Sequence, residues 1–246
     1  MRVAILTDIH ANREAFEAVL ADLTARGITR IGVLGDVVGY GPDPVWCVER
    51  VMALVQDGAF CIKGNHDSAI STVAEHLNTA ARQVINWTRP QLSAPHLAFL
   101  ENLPLRHAQD DVLFVHASAN DPSDWNYITD ANRAMGSFRA ASARVIMVGH
   151  RHVAALYTCD LDDRVKAQTV TVGQPVPLIR SRRWLAVVGA VGQPRDGVAQ
   201  ANYAILDLAQ NELTFRRVPY DVQKTVGKLR AAGLPEPLAM RLNWGT

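Results

Sequence analysis

Short apolar runs recur along this chain, and most end in a cluster of polar, chemistry-bearing residues. Arg2 to Leu6, Ile31 to Leu34, Ala59 to Ile62, Val112 to Val115 and Val145 to Val148 read as buried strands. After the first, Asn12 stands where a helix N-cap belongs, and Phe16, Val19, Leu20 and Leu23 share one helix face that stops near Gly27. Strand, helix and strand at this spacing form a βαβ unit. Its parallel strands direct Asp8 and Asp36 toward one edge, where open α/β sheets hold their ligand crevice. The loop Gly39-Tyr40-Gly41-Pro42 then leads to Asp43-Pro44, a cap with proline in the first helical turn, and Val48, Val51, Met52 and Val55 make the next helix amphipathic.

From Ser68 to about Leu103 the pattern is helical, with Asn78 and Ser93 as caps and Pro90 as a break. Leu105 to Gln109 and Val112 to Val115 flank Asp110-Asp111 as a hairpin, and a helix over roughly Asp130 to Ala141 precedes the strand ending at Val148. The remainder is richer in strands: Ala155 to Thr158, Lys166 to Val172, Trp184 to Val188, Ala201 to Leu206 and Glu212 to Val218. A helix over Gln223 to Ala231 follows, and the Pro235 to Thr246 tail is expected to pack back on the body. Without a linker, repeat or low-complexity stretch, a single domain over residues 1–246 is the simplest organisation.

Composition narrows the possibilities mainly by exclusion. With 48% hydrophobic and 20% charged residues and a formal net charge of +1, no global field points to nucleic acid or an acidic membrane, so partner choice falls to a local site. No stretch approaches the roughly 20 apolar residues of a membrane span. Cys47, Cys61 and Cys159 are widely spaced and odd in number, which fits reduced core thiols and a cytoplasmic location.

The chemistry lies at the strand ends: Asp8-Ile9-His10, Gly35-Asp36, Lys63-Gly64-Asn65-His66-Asp67, His116, and Gly149-His150-Arg151-His152. A polar turn would explain any one of these clusters. Their recurrence after successive apolar runs favours a shared site. His76, His96 and His107 lack a strand end with a carboxylate and read as surface or locally satisfied histidines. Carboxylate, amide and imidazole together suit manganese, iron or zinc better than calcium or magnesium. Two cations sharing a carboxylate lie about 3.5–4 Å apart and can hold the attacking and leaving oxygens of a phosphoryl displacement. Two aspartates and a bridging hydroxide would leave such a centre cationic and attractive to a phosphate ester.

In their order, these five blocks resemble the signature of the calcineurin-like metallophosphoesterases, over most of the chain. The resemblance implies an α/β fold, a four-layer αββα sandwich with two mixed β-sheets packed face to face and flanked by helices. It implies two divalent ions, manganese first, with iron, zinc or nickel as alternatives. Asp8, His10, Asp36 and His152 would hold one, and Asp36, Asn65, His116 and His150 the other, with Asp36 as the bridge. The implied reaction is attack of a metal-bridging hydroxide on a phosphate ester, with His66 protonating the leaving alkoxide or stabilising its charge and Asp67 orienting the imidazole.

Within the family, a bacterial branch of short phosphodiesterase-like proteins is similar in His10-Ala11-Asn12, in Gly39 to Pro42, and in Gly192-Gln193-Pro194-Arg195-Asp196-Gly197. Arg195 is a candidate for gripping a substrate phosphate, set against an arginine anchored to a neighbouring aspartate. Tyr40 is a candidate pocket residue, set against packing on its glycines. Arg151 is expected to point away. The branch carries Asn-Pro-Gly-Ser where this chain has Val187-Val188-Gly189-Ala190, and a glycine where it has Ala117, changes that bear on substrate shape and spare the ligands. The expected activity is hydrolysis of phosphodiesters or nucleotides. Phosphomonoesterase or protein phosphatase activity, or a non-catalytic protein-binding scaffold, are the alternatives. The implied partner is a small phosphate-ester substrate, with no membrane or dedicated nucleic-acid surface; homo-oligomerisation is left open.

Overall fold

The computed structural model describes residues 1–72 and 77–246. The chain runs β1 (Arg2–Leu6), α1 (Arg13–Ala25), β2 (Arg30–Val33), α2 (Pro44–Gln56), β3 (Phe60–Cys61) and α3 (Asn65–Ser71), then α4 (Thr79–Thr88) and α5 (Ala94–Asn102), separated by a 3-10 turn at Arg89–Gln91. A hairpin, β4 (Arg106–Gln109) and β5 (Val112–Val115), leads to α6 (Ala131–Ala140) and β6 (Val145–Val148). Next come β7 (Ala155–Cys159), β8 (Val165–Gln168), β9 (Pro175–Pro177), β10 (Arg183–Val187), β11 (Ala201–Asp207) and β12 (Glu212–Val218), before the closing helices α7 (Val222–Ala231) and α8 (Glu236–Trp244).

Two six-stranded mixed sheets result, with strand orders β3-β2-β1-β11-β12-β9 and β4-β5-β6-β10-β7-β8. The expected βαβ unit is present: β1, β2 and β3 are parallel, while β11 returns antiparallel to β1. In the second sheet β6 runs parallel to both β5 and β10.

The period-two alternation of the strands builds three apolar layers. Val3 and Ile5 of β1, with Phe215 of β12, face Phe114, Met147 and Trp184 of the other sheet. Ala4 and Leu6 point the other way, into a layer with Phe16, Val48, Ile85, Leu229 and Leu242 from the outer helices. On the far side of the second sheet, Ile146, Val148, Leu185 and Val187 pack beneath Ala134 and Phe138 of α6. The result is the four-layer sandwich, and slipping β1 by one residue would exchange its two faces.

Caps fix several helix starts. The Asn12, Asn78 and Asp130 side chains accept from the Ala15, Ala81 and Arg133 amides. The tail packs back as expected: α8 places Leu238 and Leu242 in the helix-side core.

Two expectations need correction. The strand proposed over Lys166 to Val172 stops at Gln168 in β8, and the chain then turns, with the Gly173 amide bonded to the Phe215 carbonyl, into the unforeseen edge strand β9. The apolar-polar alternation of Thr169 to Val172 reads as strand, but Val170 is spent on the inter-sheet layer instead. The helix expected from Ser68 starts earlier: Asn65-His66-Asp67 is the first turn of α3.

Candidate active site

The ends of β1, β2 and β3 from one sheet and of β5 and β6 from the other converge at a single place. Asp8, His10, Asp36, Asn65, His66, Asp67, His116, His150 and His152 are all buried there. Five of them, Asp8, His10, Asp36, His150 and His152, hold left-handed backbone, with φ between 49° and 65°. Non-glycine residues tolerate such strain where surrounding structure enforces it, characteristically at functional sites. Here the enforcement includes Asp8 N–H to Gly35 O and His10 N–H to Asp36 O, which tie the first two loops together.

Gly64 serves by lacking volume. Its backbone is extended, so no special torsion is used. A Cβ there would collide with the Asp36 carboxylate and amide. Gly149 works in the same way between sheets, because a Cβ would strike Thr7.

Each central carboxylate has one oxygen fixed and one without a hydrogen-bond partner. Asp8 Oδ2 accepts from Thr7 Oγ1 at 2.9 Å and from the His150 amide at 3.0 Å, while Asp8 Oδ1 is buried and unpartnered. Asp36 Oδ1 accepts from the His66 amide at 2.8 Å, while Asp36 Oδ2 is buried and unpartnered. The unpartnered oxygens face imidazoles: Asp8 Oδ1 lies 3.2 Å from His152 Nε2, and Asp36 Oδ2 lies 3.3 Å from His116 Nε2 and 3.7 Å from His10 Nε2.

The other ring nitrogens are committed elsewhere. His10, His116 and His152 donate Nδ1–H to the carbonyls of Val38, Leu34 and Gln193, at 3.1, 2.6 and 2.6 Å. That leaves the Nε2 atoms to serve as lone-pair donors to a metal. His10 Nε2 and His152 Nε2 are only 3.1 Å apart, and His116 Nε2 is 3.2 Å from Asn65 Oδ1. Inward-facing lone pairs and orphaned carboxylate oxygens suit cations. Asp8, His10 and His152 form one set able to hold an ion, and Asp36, His116 and His150 another.

Protonation follows from burial and neighbours. Burial pulls His66 down to about 4 and His150 to about 3. Burial acts the same way on His116, but Asp36 outweighs it and lifts this ring to about 9. Burial would raise Asp8 and Asp36, yet neighbouring histidines hold both below the ordinary carboxylate range.

Several assignments change at this point. The Asp67 carboxylate does not orient His66: it accepts from the amides of Asp36, Val37, Val38 and Gly64, at 2.7 to 3.3 Å, and so knots the second loop to the third. His66 Nδ1 is buried without a partner, at the position that a Cβ on Gly39 would occupy. Tyr40 is more than loop filling. Its ring packs 4.6 Å from His10 and 4.5 Å from His66 and lines the cavity above the cluster. Arg195 is not held by its neighbouring aspartate, because Asp196 pairs with Arg217 at 2.5 Å. Arg195 instead bonds Gln193 Oε1 at 2.7 Å, keeps a buried, unpartnered Nε and lines the same cavity. Arg151 turns to Tyr157, His96 accepts from the Ser93 amide, and His107 stacks on Phe60. His76 lies outside the described residues.

The loop after His116, absent from the sequence expectations, also reaches the site. Trp125 sits edge-on to His116 and Tyr127 stacks on His150. Two aromatic residues in the otherwise polar Asp121-Pro122-Ser123-Asp124-Trp125-Asn126-Tyr127 were the available signal.

Residues 1–211 match the family model described as a calcineurin-like phosphoesterase superfamily domain. The chain belongs to that superfamily. It is accordingly a metal-dependent phosphoric ester hydrolase. A crystal structure of a metallophosphoesterase from Sphaerobacter thermophilus is 40% identical, covers 100% of both chains and superposes with a TM-score of 0.89. An uncharacterized protein of Methanocaldococcus jannaschii is 32% identical over 99% of this chain and 98% of its own. Phosphodiesterase YfcE of Escherichia coli is 27% identical over 47% of this chain and 68% of its own length. The superfamily uses divalent ions, which agrees with the donor sets described above. Among the described residues, no helix is long and apolar enough to cross a membrane.

Proposed function

We propose that this chain hydrolyses phosphodiesters, nucleotide esters included, at a centre of two divalent cations that share Asp36. The observation that carries this is Asp36 Oδ2, a buried oxygen without a hydrogen-bond partner that lies within 3.7 Å of a histidine from each donor set. Asp8, His10 and His152 would hold one ion with it, and Asn65, His116 and His150 the other. When bound, the ions supply Lewis acidity toward the phosphoryl oxygens and acidify the attacking water, and manganese suits the mixed nitrogen and oxygen donors.

The chain's own residues supply the rest. Arg195, which lines the cavity, would bind a phosphoryl oxygen through a charge-assisted hydrogen bond. With its pKa near 4, His66 enters the reaction neutral and donates an N–H hydrogen bond that stabilises the charge on the departing oxygen. Asp67 holds the loops that carry Asp36 and His66 together. The relationship to phosphodiesterase YfcE supports a diester over a monoester substrate.

Turnover of a nitrophenyl phosphodiester and a nitrophenyl monophosphate by the manganese-loaded chain tests this. A kcat/KM that favours the diester is expected, and a strong preference for the monoester would overturn it. His66→Ala should keep both ions and lose turnover.

A further inference from the structure

The aromatic side chains at the mouth of the site divide by donor set. Tyr40 packs against the first set, on His10 at 4.6 Å and His152 at 6.4 Å, and also against His66. Trp125 and Tyr127 pack against the second, on His116 at 5.9 Å and His150 at 4.0 Å. All three line one cavity of about 280 Å³ with Arg195, near the lower end of small-ligand pockets at roughly 300–1,000 Å³.

The Trp125–Tyr127 wall is built. Trp125 holds left-handed backbone at φ 54°. The loop is pinned from below by Ile128, which is buried in the layer under α6, and by the Ala119 amide donating to Ser137 Oγ at 3.1 Å. One face of the Tyr127 ring is covered by His150, and the residue is nonetheless 47% exposed. Apolar ring surface is thus held beside the candidate cation cluster, in a cavity that Arg195 also lines.

We infer that Trp125 and Tyr127 form the surface for the arm of the diester that stays on phosphorus, and that this arm carries a planar heteroaromatic ring: the substrate is a nucleotide diester. This rests on the phosphodiesterase assignment above. With phosphorus at the cations and the departing oxygen beside His66, next to Tyr40, the retained arm extends toward the Trp125 wall. A base stacks there on its π-face, which every base offers, so the wall selects for a base without choosing among bases. The hydrolytic step itself is unchanged: water oxygen bonds to phosphorus, the bond to the departing oxygen breaks, and the proton that the water loses ends on that oxygen.

The test uses the manganese-loaded full chain and two nitrophenyl diesters, one of a thymidine nucleotide and one of ethyl phosphate. They share a leaving group and differ only in the retained arm. The nucleotide ester should have the higher kcat/KM, by about tenfold or more. Trp125→Ala should bring that ratio down by about tenfold, Trp125→Phe should keep most of it, and Tyr127→Ala should lower it as well. In parallel, calorimetry should show thymidine monophosphate binding about tenfold tighter than deoxyribose phosphate to the wild type, and equally to Trp125→Ala. Both diesters cleaved at equal kcat/KM, or a ratio untouched by Trp125→Ala, would overturn the inference and leave the phosphodiesterase assignment intact. Neither diester cleaved, with base-dependent binding still lost in Trp125→Ala, would refute that assignment and sustain the base surface.

Discussion

Asn12 joins fold and site, and replacing it with alanine separates what each owes to the other. Its Oδ1 accepts from the Ala15 amide and from Thr225 Oγ1, both at 3.1 Å, and its Nδ2 donates to the Gly192 carbonyl at 2.8 Å. The N-cap alone is worth about 1 kcal/mol. Each further buried bond adds about 1 kcal/mol; the Gly192 carbonyl would be stranded, whereas Thr225 Oγ1 keeps Glu14 Oε2 at 3.1 Å. Asn12→Ala should therefore cost about 3 kcal/mol, or about 6–12 °C in Tm for a chain of this size. The loss should reach the cations too. Gly192 precedes Gln193, whose carbonyl fixes His152 Nδ1, so affinity at the Asp8-His10-His152 position should fall by about tenfold. Scanning calorimetry with and without manganese, together with a manganese titration, reads both effects. A Tm within a degree of wild type, or an equal weakening of both positions, would refute this coupling.

Glu14 offers a pH prediction. Burial alone would raise it, but Lys228, 2.7 Å away, holds it below the ordinary value of 4.5. A carboxylate depressed by folding contributes its stability above the unfolded pKa and loses it as pH falls through the folded one. Glu14→Gln should therefore lower stability at pH 7 and flatten the acid limb below about pH 4.5 in urea titrations. His116, near 9 before metal binds, must give up a proton to become a ligand. Manganese binding at pH 7.5 should release about one proton from it, seen by calorimetry in buffers of different ionisation enthalpy, and affinity should rise with pH up to about 9. Gly64→Ala should displace the Asp36 carboxylate, cost about 1–3 kcal/mol in denaturant titration and lower the bound metal measured by elemental analysis.

The residues proposed as ligands could be picked out because each follows an apolar run and carries chemistry that a core rejects unless a partner is present. Asp8, Asp36 and His150 could be placed at strand ends without knowing the sheet order. Asn12 was legible as a cap, since capping is local; its bond to Gly192 was not, because only the folded sheet order brings together residues 180 apart in sequence. Asp67 was misread for the same reason. A carboxylate beside a histidine invites a pair, but the nearest unsatisfied donors were amides of a loop some thirty residues earlier. The stretch after Gln168 failed because alternation marks half-buried backbone equally well in a strand and in a loop folded against the core. Trp125 and Tyr127 were passed over because two rings in a polar stretch are a weak signal until the fold sets them against His116 and His150.

Metal stoichiometry in Asp36→Asn tests the central claim most directly. Elemental analysis of the wild type after saturation with manganese and removal of excess should give two ions per chain, and the variant should lose occupancy at both positions. A variant that retains two ions, or a wild type that never holds more than one, would contradict a centre shared through Asp36.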